Sequence, residues 1–292
     1  MSNHSRKGSL VTVLEFVDAH VHHWKSSVHD WYPMLHATLP EVPRDYPPER
    51  FRRDAEAAGV RLLGTVHVSA TTVPGAFLDE TRWLDGMDAP DRPSAIIGSV
   101  DPDVSPPVVE AQLDEQARSP LFRGVRVYAG LSPEGDTATA LLRELGKRDL
   151  VLDQVIRAPE VDAYLAALAE APDVRVVLEH AGWPETGHPE GFIDWRRGLA
   201  KLAALPRVDC KISGLGMPLG RLDAAALRPY VETCLDLFGV DRCFFGSNFP
   251  VDGLSGTYAE LMTAYQDVTS DLSADERRKL FVENATRRYR LG

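Results

Sequence analysis

The chain has 292 residues, 44% of them hydrophobic and 26% charged, with a formal net charge of -11, an ordinary globular composition of a length that one α/β barrel domain accommodates. With no basic run to offset it, that charge argues against a nucleic-acid partner and leaves any anionic substrate dependent on local arginines; no stretch approaches the ~20 apolar residues of a membrane span. Cys210, Cys234 and Cys243 are widely spaced without a CxxC and read as reduced thiols, which with the absence of a signal-peptide core suggests a cytoplasmic protein.

Residues 1–14 read as an N-terminal extension and 15–292 as one folded unit. Phe16 to His20 form the first predicted strand, whose period-two alternation puts Asp18, His20 and His22 on one face. Two imidazoles one residue apart at a strand end either converge on a metal ion or are two satisfied histidines. From about Trp24 to Pro48 runs a long, proline-rich loop, read as ordered because of its aromatics. Trp24, Trp31 and Tyr32 there either cover a ligand or pack beneath the loop. Pro47-Pro48 then opens a helix that stops at Gly59.

Beyond it, predicted strands at Arg61–Ser69, Ser94–Val100, Leu121–Tyr128, Leu150–Ile156, Val174–His180, Val208–Ser213 and Arg242–Asn248 alternate with helical stretches. Eight near-apolar strands alternating with helices predict a single-domain (β/α)8 TIM barrel. The competing doubly wound sheet lacks a glycine-rich phosphate loop after its first strand. A barrel carries its site at the C-terminal ends of its strands. Those ends deliver His20 and His22; His67 and Ser69; Asp101; Arg126 and Tyr128; Asp153 and Gln154; Glu179 and His180; Lys211 and Ser213; Ser247 and Asn248, with Asp252 just beyond.

Six stretches taken together carry a resemblance. They are Val17-Asp18-Ala19-His20-Val21-His22-His23-Trp24, Glu80-Thr81-Arg82-Trp83-Leu84, Gly124-Val125-Arg126, Glu179-His180-Ala181-Gly182-Trp183-Pro184, Lys211-Ile212-Ser213-Gly214-Leu215 and Phe245-Gly246-Ser247-Asn248-Phe249-Pro250. In this order the chain resembles the amidohydrolase-related (amidohydrolase family 2) TIM-barrel hydrolases from Phe16 to Arg287. Within them it is similar to the branch of sugar-lactone hydrolases (fuconolactonase and rhamnonolactonase types) and pyrone-dicarboxylate lactonase.

The resemblance implies that His20 and His22 bind a divalent, zinc-like ion. It implies that His180 is a ligand or polarises a carbonyl, and that Arg126 faces the substrate. Asn248 matches a position that is usually aspartate, the general base. Asparagine accepts no proton at neutral pH. Either Asp252, Asp18 or Glu179 substitutes, or the metal is weak or absent, or the reaction differs. Ser69 departs too, standing where an acidic residue is expected.

The resulting expectation is a hydrolase that opens a lactone of a sugar acid or carboxylated ring. His180, Asn248 and Arg126 would be catalytic, with Trp24, Arg126, Tyr128 and Gln154 against the substrate. The alternatives are a decarboxylase of the same superfamily and a catalytically impaired binding or partner subunit. A small molecule is the expected partner, and homo-oligomer formation is left open.

Overall fold

The computed structural model describes residues 13–127, 130–185 and 189–292. Eight strands lie side by side in chain order: β1 (Leu14–Val21), β2 (Val60–Val68), β3 (Ala95–Gly98), β4 (Phe122–Val125), β5 (Val151–Gln154), β6 (Arg175–Leu178), β7 (Val208–Ile212) and β8 (Cys243–Phe245). Every junction between neighbours in this order is parallel. Apart from the first halves of β1 and β2, the strands are largely buried, because helices cover the outer face and side chains fill the interior, which is why they read as apolar runs without alternation.

Around them run α1 (Pro33–Thr38), α2 (Pro48–Ala57), α3 (Ala76–Asp85), α4 (Pro106–Gln116), α5 (Asp136–Lys147), α6 (Val161–Ala169), α7 (Pro189–Ala203), the short α8 (Gly216–Leu219), α9 (Ala224–Phe238), α10 (Tyr258–Val268), α11 (Ala274–Arg278) and α12 (Asn284–Tyr289). The predicted barrel is therefore present. Its first strand begins at Leu14, one residue inside the stretch read as an extension. Several strands end earlier than predicted. β6 stops at Leu178, and Glu179 and His180 leave the ladder. Polar residues at a barrel mouth leave the sheet because their side chains line the site.

The ring closes in an unusual way. β1 meets the last element through the bridge between Val21 and Phe249, just beyond β8. Asn248 N donates to His20 O and His22 N to Phe249 O, each at 2.8 Å. Closure of the barrel thus sets Asn248 beside the two histidines.

The segment after β1 is more structured than the sequence predicts. Trp24–Lys25 pairs antiparallel with Asp45–Tyr46, and α1 lies between them. Tyr32 OH donates to Glu80 Oε1 at 2.8 Å, and Glu80 Oε2 lies 3.4 Å from His67 Nε2. All three side chains are buried. Glu80, the acidic residue of the Glu-Thr-Arg-Trp-Leu stretch, ties this segment to the barrel.

At the opposite end, α12 packs under the strands' N-termini. Arg123 Nε donates to Tyr289 O at 2.7 Å, and Arg290 Nη1 to Asp149 O at 2.6 Å. Cys210, Cys234 and Cys243 are all free and buried. No helix among the described residues is long and apolar enough to cross a membrane.

Candidate active site

At the mouth of the barrel, His22 Nδ1 lies 2.7 Å from Val68 O. A carbonyl only accepts, so Nδ1 carries the hydrogen and Nε2 presents a lone pair. That lone pair faces His20 Nε2 at 3.2 Å and Asn248 Oδ1 at 3.2 Å. Burial, foremost, lowers both histidines well below their ordinary range, with Lys211 adding to the effect at His20 and Arg126 at His22. Both rings are neutral at physiological pH. Asn248 sits in the left-handed region at φ 57, a conformation asparagine tolerates better than most residues. Its Nδ2 donates to Asp252 Oδ1 at 2.9 Å, which turns its Oδ1 toward His22.

His180 comes from a strained turn. His180, Ala181 and Trp183 all have φ between 50 and 55, a cost held in place by the surrounding fold. The turn brings the His180 ring to 4.6 Å from that of His20, centroid to centroid. His180 Nδ1 lies 2.9 Å from Ser213 Oγ. Gly214 makes this approach possible, since a Cβ there would overlap the His180 ring, and its φ of +64 disfavours any other residue. The Glu-His-Ala-Gly and Lys-Ile-Ser-Gly stretches are two sides of one contact. Gly214→Ala is expected to displace His180 and cost about 10²-fold in turnover, measured as kcat on any accepted substrate.

Glu179 is fully buried, and neither of its carboxylate oxygens has a hydrogen-bond partner among the described residues. It is flanked by charge instead: Arg126 Nη1 lies 3.6 Å from Oε2, Lys211 Nζ 3.7 Å from Oε1, and His20 Nδ1 3.6 Å from Oε1. Burial foremost, with Asp153 also raising it, pushes the Glu179 carboxyl up to about 8 against the pull of Arg126 and Lys211. Arg126 is itself anchored to Ser69 O through Nη2. That backbone contact gives position 69 a role whatever its side chain.

These groups line a cavity of about 450 Å³, together with Leu35, Leu39, Gln154, Arg157, Trp183 and Met217. His22, His180, Arg126, Asn248 and Gln154 all lie on its wall. His20 stands directly behind His22. Gln154 spends both ends of its amide on Val127, accepting from N at 3.0 Å and donating to O at 3.2 Å. This holds the segment that carries Arg126.

Trp24, expected against the substrate, is placed elsewhere. It is wholly buried beneath the loop, its Nε1 donating to Pro43 O at 2.8 Å, and it does not line the cavity. An indole satisfied by a loop carbonyl packs well in that interior. Tyr32 is likewise committed to Glu80. Tyr128 lies outside the described residues. Sequence reasoning missed Leu35, Leu39 and Arg157. Trp183, within a quoted stretch, went unassigned. Leu35 lies in α1 and Leu39 just past its end.

Of the three carboxylates weighed as substitutes for the absent aspartate, only Glu179 lines the cavity. Asp18 accepts from Ser247 N at 2.8 Å, His20 N at 3.2 Å and Tyr258 OH at 3.2 Å, as a strut of the seam. Asp252 lies behind Asn248, bonded to it and to Gly216 N. Burial raises Asp252 from 3.8 to about 7. Folded protein therefore holds a proton that the unfolded chain releases between about pH 4 and 7, and stability falls as pH rises through that window. Urea unfolding at pH 5 and pH 8 is expected to show a smaller drop for Asp252→Asn than for the natural chain.

The donor set suits a metal ion. Two nitrogens bound to one tetrahedral zinc at ~2.0–2.1 Å stand about 3.3 Å apart, and the two Nε2 atoms of His20 and His22 are 3.2 Å apart. His20 Nδ1 has no hydrogen-bond partner among the described residues. His20, Glu179 and His180 form a second grouping, their ligand atoms all within 4.8 Å of one another. His20 is common to both.

An eight-stranded parallel barrel with imidazoles and acidic groups at its mouth has its polar cluster where TIM-barrel enzymes carry their active sites. The amidohydrolase family model matches residues 17–291, and the chain belongs to that family. It is 30% identical over 292 residues to L-fucono-1,5-lactonase of Burkholderia ambifaria, covering 94% of this chain and 95% of that one. A Burkholderia multivorans amidohydrolase crystallised with bound zinc is 28% identical with a TM-score of 0.80, over 95% of this chain and 99% of that one. The 2,6-dihydroxybenzoate decarboxylase from Rhizobium shares the fold, at 14% identity and a TM-score of 0.60 over 95% of this chain and 99% of that one.

Proposed function

We propose that this protein is a lactonase that opens a neutral, hydroxylated sugar lactone. The observation that carries the reading is Glu179: a buried carboxylate on the cavity wall, facing His180 and Arg126 across 3.6–4.0 Å. The likeness to the Burkholderia ambifaria lactonase supports the reaction class. Charge balance supports the substrate class. Arg126 faces Glu179, and the Arg157 guanidinium at the rim lies over the Trp183 ring at 5.4 Å, while only its backbone N is bonded to Glu160. An interior cation already facing a buried carboxylate suits hydroxyl groups on a neutral ring better than a dicarboxylate.

In this mechanism Glu179 takes a proton from water as the water oxygen bonds to the lactone carbonyl carbon. Burial keeps His180 neutral beside the carbonyl, and Arg126 supplies positive charge to the developing oxyanion. The ring C–O bond then breaks, and Glu179 returns the proton to the departing alkoxide. Leu35 and Leu39 exclude water from the other wall. His20, His22 and the Asn248 amide oxygen would hold a divalent ion, which supplies Lewis-acid polarisation of the carbonyl when bound.

The test is a panel of aldonolactones, carboxylated lactones and hydroxybenzoates, assayed with added zinc and with chelator. Opening of neutral aldonolactones is the expected result. Preference for carboxylated lactones would overturn the substrate class, and carbon dioxide release without lactone opening would overturn the reaction.

A further inference from the structure

We propose that the C-terminal helix reaches into the active site: Tyr289, through Asp153 and Lys211, is a positioning residue that fixes the Glu179 carboxylate between two cations. The inference rests on the role given to Glu179 above only in its kinetic arm.

Lys211, Asp153 and Tyr289 are all fully buried. They come from β7, β5 and α12, and no sequence motif joins them. Lys211 Nζ lies 2.7 and 2.8 Å from the two Asp153 oxygens and 3.3 Å from Tyr289 OH. Tyr289 OH donates to Asp153 Oδ2 at 2.6 Å. Its hydroxyl keeps that proton, since burial and the Asp153 charge both oppose ionisation. The order of dependence follows. Tyr289 orients Asp153, and Asp153 holds the ammonium, leaving its charge facing Glu179 Oε1 at 3.7 Å.

A purely structural ion pair would be complete with Lys211 and Asp153 alone. Here the same ammonium also faces a second carboxylate, Glu179, on the cavity wall. Glu179 is held by charge from two sides, Lys211 at 3.7 Å and Arg126 at 3.6 Å. A force balance of this kind shifts when either side weakens. Loosening Lys211 is expected to let the carboxylate swing toward Arg126.

Tyr289→Phe tests this with little risk to the fold, because it keeps the ring that packs edge-on against Phe244 at 5.8 Å and removes only the hydroxyl. Crystal structures of the natural chain and the variant are expected to show Glu179 displaced toward Arg126. On a lactone substrate, kcat is expected to fall about ten- to a hundredfold with KM within about twofold, a split that loss of general stability would not produce. Should Tyr289→Phe fail to fold, Asp153→Asn weakens the same hold and carries the same two readouts. A Glu179 carboxylate that stays in place overturns the inference whatever the kinetics. A displaced Glu179 with unchanged kcat supports the positioning and overturns the role of Glu179 in turnover. If the natural chain opens no lactone, the proposed function fails and the crystallographic comparison still decides the inference.

Discussion

Glu179→Gln is expected to lower kcat by about 10²–10⁴-fold, the contribution of a positioned general base. Glutamine has the same shape and fills the same place on the cavity wall. It cannot take a proton from water. It also removes the charge that faces Arg126 and Lys211, so urea unfolding should show some loss of stability, and kcat is referred to folded protein. Because the Glu179 carboxyl is pushed up to about 8, its ionised fraction grows as pH rises toward that value. For the natural chain kcat should therefore climb with pH and level off above about 8, and the residual rate of the variant should lack that limb. A variant with near-normal kcat would return the proton to a histidine or to Asp252.

Lys211→Met is expected to cost about 3–5 kcal/mol of folding stability, the range for removing one partner of a buried ion pair. Asp153 and Glu179 would then share the barrel interior without the cation between them. Without the pull of Lys211 the Glu179 carboxyl would retain its proton more strongly, so the cost should grow with pH, as a carboxyl that holds its proton only in the folded state requires. Chemical denaturation at pH 5.5 and 8 measures this. The double variant Lys211→Met, Asp153→Leu should recover much of the loss, because it removes the stranded charge along with the partner.

The barrel was legible because parallel strands buried on both faces produce apolar runs, and the polar residues ending them fell where the fold needs its site. His20, His22, His180, Arg126 and Asn248 do meet at one mouth. The sequence misled at Trp24, since the same aromatic-rich loop fits either a lid over the ligand or a packed underside. The choice depends on whether the Pro43 carbonyl is within reach of the indole, a matter of three-dimensional geometry. It also could not rank Asp18, Asp252 and Glu179. All three are carboxylates in or just beyond strands that reach the mouth, and what separates them is which one has its oxygens already spoken for. The link from Tyr289 to Asp153 spans 136 positions, and no periodicity announces such a contact.

Seven strand junctions of this barrel are ladders of ordinary main chain. The eighth is fastened by the backbones of His20, His22 and Asn248, with Asp18 as its strut. The ring cannot be shut without completing the site, so an unclosed chain is also an inactive one, and quality control of the fold and of the chemistry is a single step. A small molecule or ion gripped by His22 and Asn248 acts as a clasp across that junction. By mass action it holds the ring shut, and evolutionary drift at position 248 retunes the clasp and the catalyst together.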